Sequence, residues 1–124
     1  MAAPSQATRA RARLLRFALG YPGAFPDSPW GEKVVKVGKK IFVFLGRSGG
    51  GLQVTVKRPR SAMLALGLPF VSPTGYGLGR SGWVTATFRN SARPPLAMLK
   101  QWIDESYRAV APAKLVKQIP PATP

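Results

Sequence analysis

The alternation of apolar and polar side chains in the middle of the chain most constrains how it can fold. Leu52, Val54 and Val56 alternate with polar residues, the pattern of a strand with one buried face. A period of two recurs in Trp83–Phe88, and the valine-rich segment Lys33–Val37 is also predicted to be a strand. These segments predict that the centre of the chain forms an antiparallel sheet.

Glycine and proline mark the connections of this sheet. Gly38 separates Lys33–Val37 from the apolar run 41–45, which predicts a hairpin with lysines in its turn and a second strand buried on both faces. Residues 25–30, 46–51 and 68–81 are predicted to be loops, because they are rich in glycine or proline. Pro59 is predicted to begin a short helix that runs to residue 66.

Helical periodicity occupies both ends of the chain. In residues 9–18, an apolar stripe that includes Leu14 lies beside a basic stripe of arginines, and Gly20 ends the helix. After Pro95, a second apolar arc includes Trp102 and Tyr107. We therefore predict an α+β fold, in which an antiparallel β-sheet of four to five strands is packed by N- and C-terminal helices. The predicted domain spans residues 9–119, between a flexible N-terminus (1–8) and a disordered tail (120–124).

The charge balance restricts the chemistry. The chain has 19 Lys and Arg, four Asp and Glu, and no His or Cys, which gives a formal charge of +15. These absences exclude histidine-based catalysis, thiolate nucleophiles and cysteine zinc sites. Asp104 and Glu105 are sequence neighbours that diverge on a helix, and Glu32 beside Lys33 fits a turn better than a catalytic role. We expect no catalytic residues, no metal, no cofactor and no enzyme activity.

Several apparent motifs fail in their context. Residues 77–82 spell GxGxxG, but a strand follows them where a dinucleotide site needs a helix. The loop 46–51 lacks the terminal Lys-Ser/Thr of a phosphate-binding loop. Trp102 is predicted to be a core residue, whereas Trp83 fits a core position and a base-stacking position about equally.

No segment is long enough to span a membrane, since the longest apolar run is 41–45. The arginine-rich, acid-free residues 1–16 would suit an organellar transit peptide, but a packed surface helix is the favoured interpretation. Cytoplasmic localisation is the default expectation.

Three segments carry a resemblance to a known family. Pro29-Trp30-Gly31-Glu32 followed by 36–42, then Gly82-Trp83-Val84-Thr85, then 102–107 (Trp-Ile-Asp-Glu-Ser-Tyr) occur in the order and spacing of the MmcQ/YjbR family. The resemblance extends over residues 10–119. It implies a frataxin-like fold and a DNA-binding role through β-hairpin wings.

Two departures limit what the resemblance implies. Many relatives have Lys-His-Trp where this chain has Ser81-Gly82-Trp83, so any role of that histidine is absent here. Frataxins bind iron through an acidic ridge, which four acids cannot supply, so no iron is expected.

We predict a non-catalytic basic module that binds nucleic acid, DNA above all, with low sequence specificity. A polyanionic partner follows from the charge, because cations that meet phosphates release counterions. The predicted contacts are a lysine-bearing hairpin, the loops next to it and one aromatic residue: Lys33, Lys36, Lys39, Lys40, Arg47, Lys57, Arg58, Arg60, Arg80 and Trp83.

The alternative is a regulatory module that binds a protein or a small acidic ligand. A concave pocket lined by Tyr76, Arg80 and Trp83, with the remaining cations spread over the surface, would favour it. The sequence leaves both functions open.

Overall fold

The computed structural model describes residues 5–29, 32–46, 51–57, 67–74, 82–89 and 93–121. These residues form helix α1 (Gln6–Leu19), strands β1 (Ala24–Asp27), β2 (Lys33–Val37), β3 (Lys40–Gly46), β4 (Leu52–Lys57), β5 (Val71–Pro73) and β6 (Trp83–Phe88), then helices α2 (Leu96–Val110) and α3 (Ala113–Val116).

The strands form one antiparallel sheet in the order β1-β2-β3-β4-β6-β5. Alternate side chains of β4, namely Leu52, Val54 and Val56, are fully buried, which confirms the strand that their alternation predicted. The predicted α+β class is confirmed.

The two long helices cover one face of the sheet. Ala10, Leu14 and Ala18 of α1 are buried at helical spacing, and α2 buries Trp102 and Ile103 against the same core. Trp102 is therefore a core residue, as predicted. No helix in the described residues is both long and apolar enough to cross a membrane.

The sheet has six strands, not the four or five predicted. The additional strands are β1 and β5, which lie at the two edges of the sheet in segments that the sequence analysis assigned to loops. Pro26 and Pro73 belong to these strands. Proline cannot donate to the hydrogen-bond ladder, so it is tolerated on edge strands. Because proline also indicates loops, the sequence did not predict these two strands.

Hydrogen bonds stabilise both ends of the described fold. Helix α1 begins at Gln6, and the Ser5 side chain caps it by accepting a hydrogen bond from the Thr8 N–H. The short helix α3 follows α2. Arg108 donates to the Pro120 carbonyl, while residues 122–124 and the predicted helix 59–66 lie outside the described residues.

Candidate nucleic-acid interface

The turn between β2 and β3 presents two lysines to solvent. Val37 pairs with Lys40 across the hairpin, so the turn consists of Gly38 and Lys39. Gly38 has a φ of 63°, which glycine adopts without steric cost. Lys39 and Lys40 are both exposed, and neither forms an ion pair within the described residues.

Lys36, in contrast, is held by an acid. Its Nζ lies 3.3 Å from Oδ2 of Asp27 on the neighbouring strand β1, and the side chain is largely covered. The pKa of Asp27 is lowered, first by the hydrogen bond from the Ser28 N–H and then by the Lys36 ammonium group. Lys36 is therefore the one predicted hairpin contact whose charge is locally neutralised.

Lys57 and Trp83 lie at the same end of the sheet as the hairpin turn. The two residues are paired across β4 and β6, on the face opposite the long helices. The Trp83 ring meets Phe44 edge to face, with centroids 5.7 Å apart. Both Lys57 and Trp83 are half-buried. The role of Trp83 as a base-stacking residue stays a prediction.

Lys33 lies at the opposite end of the hairpin. It begins β2 and pairs with Leu45, whereas Val37 at the end of the same strand adjoins the turn. Four residue steps along a strand separate the two ends by about 13 Å. Lys33 is exposed, but the structure does not bring it together with Lys39 and Lys40.

Four predicted contacts, Arg47, Arg58, Arg60 and Arg80, lie outside the described residues. The same holds for Tyr76, so the alternative pocket of Tyr76, Arg80 and Trp83 stays a prediction. Trp30 is also outside the described part of the chain.

Asp104 forms hydrogen bonds that stabilise the packing of α2. Asp104 Oδ2 accepts from Arg108 at 2.7 Å, as the i, i+4 spacing on α2 indicates, and its Oδ1 accepts from the Tyr21 hydroxyl at 2.6 Å. The end of the Glu32 side chain lies beside the Cα of Gly46, so a Cβ atom at position 46 would require the carboxylate to move. The Lys100 Nζ lies 5.5 Å from the centre of the Phe17 ring, which joins α2 to α1.

The described residues contain no group of three acids placed to hold a metal ion, and all four acids of the chain are among those residues. Within the described residues, Asp27 is the only acid that forms an ion pair with a hairpin lysine, and the turn itself stays positive.

The segment 102–107, which carried the family resemblance, is structural. Ser106 is fully buried; its hydroxyl accepts from the Lys57 N–H at 2.9 Å and donates to the Phe42 carbonyl. Tyr107 donates to the Pro22 carbonyl and stacks on Tyr21, with ring centroids 4.4 Å apart. These contacts join α2 to the end of the sheet that carries the hairpin turn.

One group of cations was not predicted from the sequence. Arg9 and Arg13 of α1 and Arg93 before α2 line a common groove of about 430 Å³. The basic stripe on α1 was visible in the sequence, but nothing in the sequence indicated that Arg93 joins it. The burial of the Ser106 hydroxyl could have been predicted, because Ser106 lies on the apolar arc of α2.

The comparisons with known proteins agree with this architecture. The family model described as YjbR matches residues 19–109, more than half of the chain. A comparison with curated proteins finds no match. Among solved structures, the chain is similar to the Deinococcus radiodurans protein DR2400, which has a DUF419 domain. The TM-score is 0.69 at 20% identity, and the alignment covers 95% of this chain and 91% of that chain.

The structural similarity shows that the two proteins share a fold. The family match confirms the resemblance inferred from the three sequence segments. The chain belongs to the YjbR family.

Proposed function

We propose that this protein is a non-catalytic module that binds nucleic acid, DNA above all, through the hairpin end of its sheet. We call Lys39, Lys40, Lys57 and Trp83 together the tip surface. The observation that carries the proposal is the pair of exposed lysines on the turn, which have no acid beside them in the described residues.

The charge of the whole chain supports a polyanionic partner. A formal charge of +15 creates a positive field that draws phosphates to the protein and speeds association. Each lysine that meets a phosphate displaces a condensed counterion, and this release favours binding at low salt. Asp27 neutralises Lys36 only, so it leaves the charge at the turn in place.

The chemistry of the tip surface favours contact with the backbone over base recognition. Lysine is a compact point charge that approaches a phosphate from many directions, whereas bidentate base recognition favours arginine. Trp83 adds an aromatic surface on which a base can stack with little sequence preference. We therefore expect weak discrimination among sequences.

The test is binding of unrelated duplex and single-stranded DNA and RNA over a salt series. If roughly six cations meet phosphates, the slope of log K against log salt is about −5. The variant K39E/K40E is expected to bind at least about tenfold more weakly and to reduce the slope by about 2.

The matched control is K114E/K117E, which makes the same change in net charge at two exposed lysines of the α3 region. We expect it to lose much less affinity than K39E/K40E. Equal losses in the two variants would show that only total charge matters. Full binding by K39E/K40E, or a slope near zero in the wild type, would remove the tip surface as the interface.

A further inference from the structure

A groove at the other end of the molecule gathers three arginines from distant parts of the chain. It has a volume of about 430 Å³ and runs between the first turns of α1 and the segment that leads into α2. Arg9 and Arg13 face it from α1, one helical turn apart, and Arg93 faces it from the other side. All three arginines are exposed.

No acid neutralises this groove. None of the four carboxylates of the chain lines it, and the described residues contain no ion pair of Arg9, Arg13 or Arg93. The segments 1–4 and 90–92, which are adjacent in sequence to groove residues, contain neither Asp nor Glu. Like charges at i and i+4 on a helix repel each other, so Arg9 and Arg13 are held together at a cost that an anion would remove.

The remaining walls of the groove suit a small organic anion. Pro94 and Leu96 supply apolar surface beside the guanidinium groups. The volume lies within the range of sites that bind small molecules, about 300–1,000 Å³, and exceeds what one inorganic ion fills. Guanidinium groups match phosphate oxygens with paired hydrogen bonds. Both α1 and α2 begin at the groove, so their dipoles add to the positive potential.

The groove is separate from the tip surface. Arg11 donates from its Nε to the Leu45 carbonyl at 2.8 Å, so the first half of α1 lies over the end of β3 remote from the turn. Tyr21, just after α1, instead packs against Phe42, near the turn. The two basic surfaces therefore lie at opposite ends of the sheet, and their ligands can be tested separately.

We propose that this groove binds a small phosphorylated molecule, with its phosphate held by Arg9, Arg13 and Arg93 and its organic part against the apolar wall. The site does not depend on nucleic-acid binding at the tip surface. Its ligand class is a phosphate monoester or diphosphate of nucleotide size.

The test is titration calorimetry with AMP, pyrophosphate and inorganic phosphate at about 150 mM salt, with amide NMR shifts to locate the site. We expect saturable binding of AMP, with amide shifts in residues 6–13, in Arg93 and in residues 96–98. The variant R9Q/R93Q is expected to raise the Kd about 100-fold, about tenfold for each lost guanidinium.

The matched control is R16Q/R89Q, which also removes one arginine from α1 and one from the connection after β6, at exposed positions that do not line the groove. We expect its Kd to change less than about threefold. Thermal denaturation of both variants checks that the fold is kept.

Three results would overturn the proposal: no saturation with any of the three phosphates, equal losses in the two variants, or shifts confined to the tip surface. If R9Q/R93Q weakens only duplex DNA binding, the groove is part of a nucleic-acid interface and not a small-molecule site. Loss of DNA binding in K39E/K40E with intact AMP binding would separate the two functions.

Discussion

Replacing Ser106 by alanine removes one oxygen atom from the core and leaves two backbone groups without their partner. The Ser106 hydroxyl accepts from the Lys57 N–H and donates to the Phe42 carbonyl, and the side chain is fully buried. The β3–β4 register runs from Gly46 only as far as Val43, so the hydroxyl bridges the two strands where their pairing ends.

The magnitude follows from the cost of an unpaired buried polar group, about 1–3 kcal/mol each. Lys57 is half-buried and is the last residue of β4, so we place its N–H at the low end of this range and expect a total loss of about 2–4 kcal/mol. A domain of this size has about 5–15 kcal/mol of stability, so S106A is predicted to stay folded but to melt about 10 °C lower.

Urea denaturation followed by circular dichroism measures this loss, with a lower midpoint and an unchanged m-value. The matched control is S28A at an exposed serine, for which we expect a change within about 0.5 kcal/mol. A loss of less than about 0.5 kcal/mol in S106A would refute the argument, because it would mean that the bridged backbone groups find other partners at no cost.

Two further predictions concern the hydrogen bonds of Tyr21 and Asp27. Y21F removes the donor to Asp104 and is expected to cost about 1–2 kcal/mol in urea denaturation. Burial and the Asp104 carboxylate raise the pKa of Tyr21, so this stabilisation is complete below about pH 10 and declines at higher pH. If the difference in unfolding free energy between wild type and Y21F does not become smaller above about pH 10, the prediction is wrong. K36M is expected to raise the pKa of Asp27 only part of the way to its ordinary value, because the Ser28 N–H is the larger cause of its lowering. Carboxyl NMR titration measures this; the stability linked to Asp27 is present above its unfolded pKa and is lost as the pH falls through the folded value.

The strands that could be predicted from the sequence are those whose side-chain pattern indicates which face is buried. In β4, every second residue packs into the core, so apolar and polar residues alternate along the strand. In β1 and β5, the strand conformation comes from pairing with a neighbouring strand. Their prolines favour the prediction of a loop when the segment is considered alone. Edge strands of this kind become recognisable only when the partner strand is known.

The candidate sites divide in the same way. Lys39 and Lys40 could be predicted as exposed cations, because a glycine turn between two strands projects into solvent. The neutralisation of Lys36 could not, since Asp27 reaches it through the pairing of two strands. The arginine groove depends on Arg93, which is 80 residues from Arg13 in the sequence. Arg93 comes close to α1 only because α2 packs on the sheet.

The sequence by itself determined the α+β class, the helices at each end, the hairpin with its lysines, and the excess of cations over acids. Each of these follows from local period, turn residues or composition. Tertiary structure decided which cations are neutralised, where Ser106 replaces a missing ladder bond, and that two basic surfaces lie at opposite ends of the sheet. Those properties depend on distances between residues far apart in the chain, and only packing sets such distances.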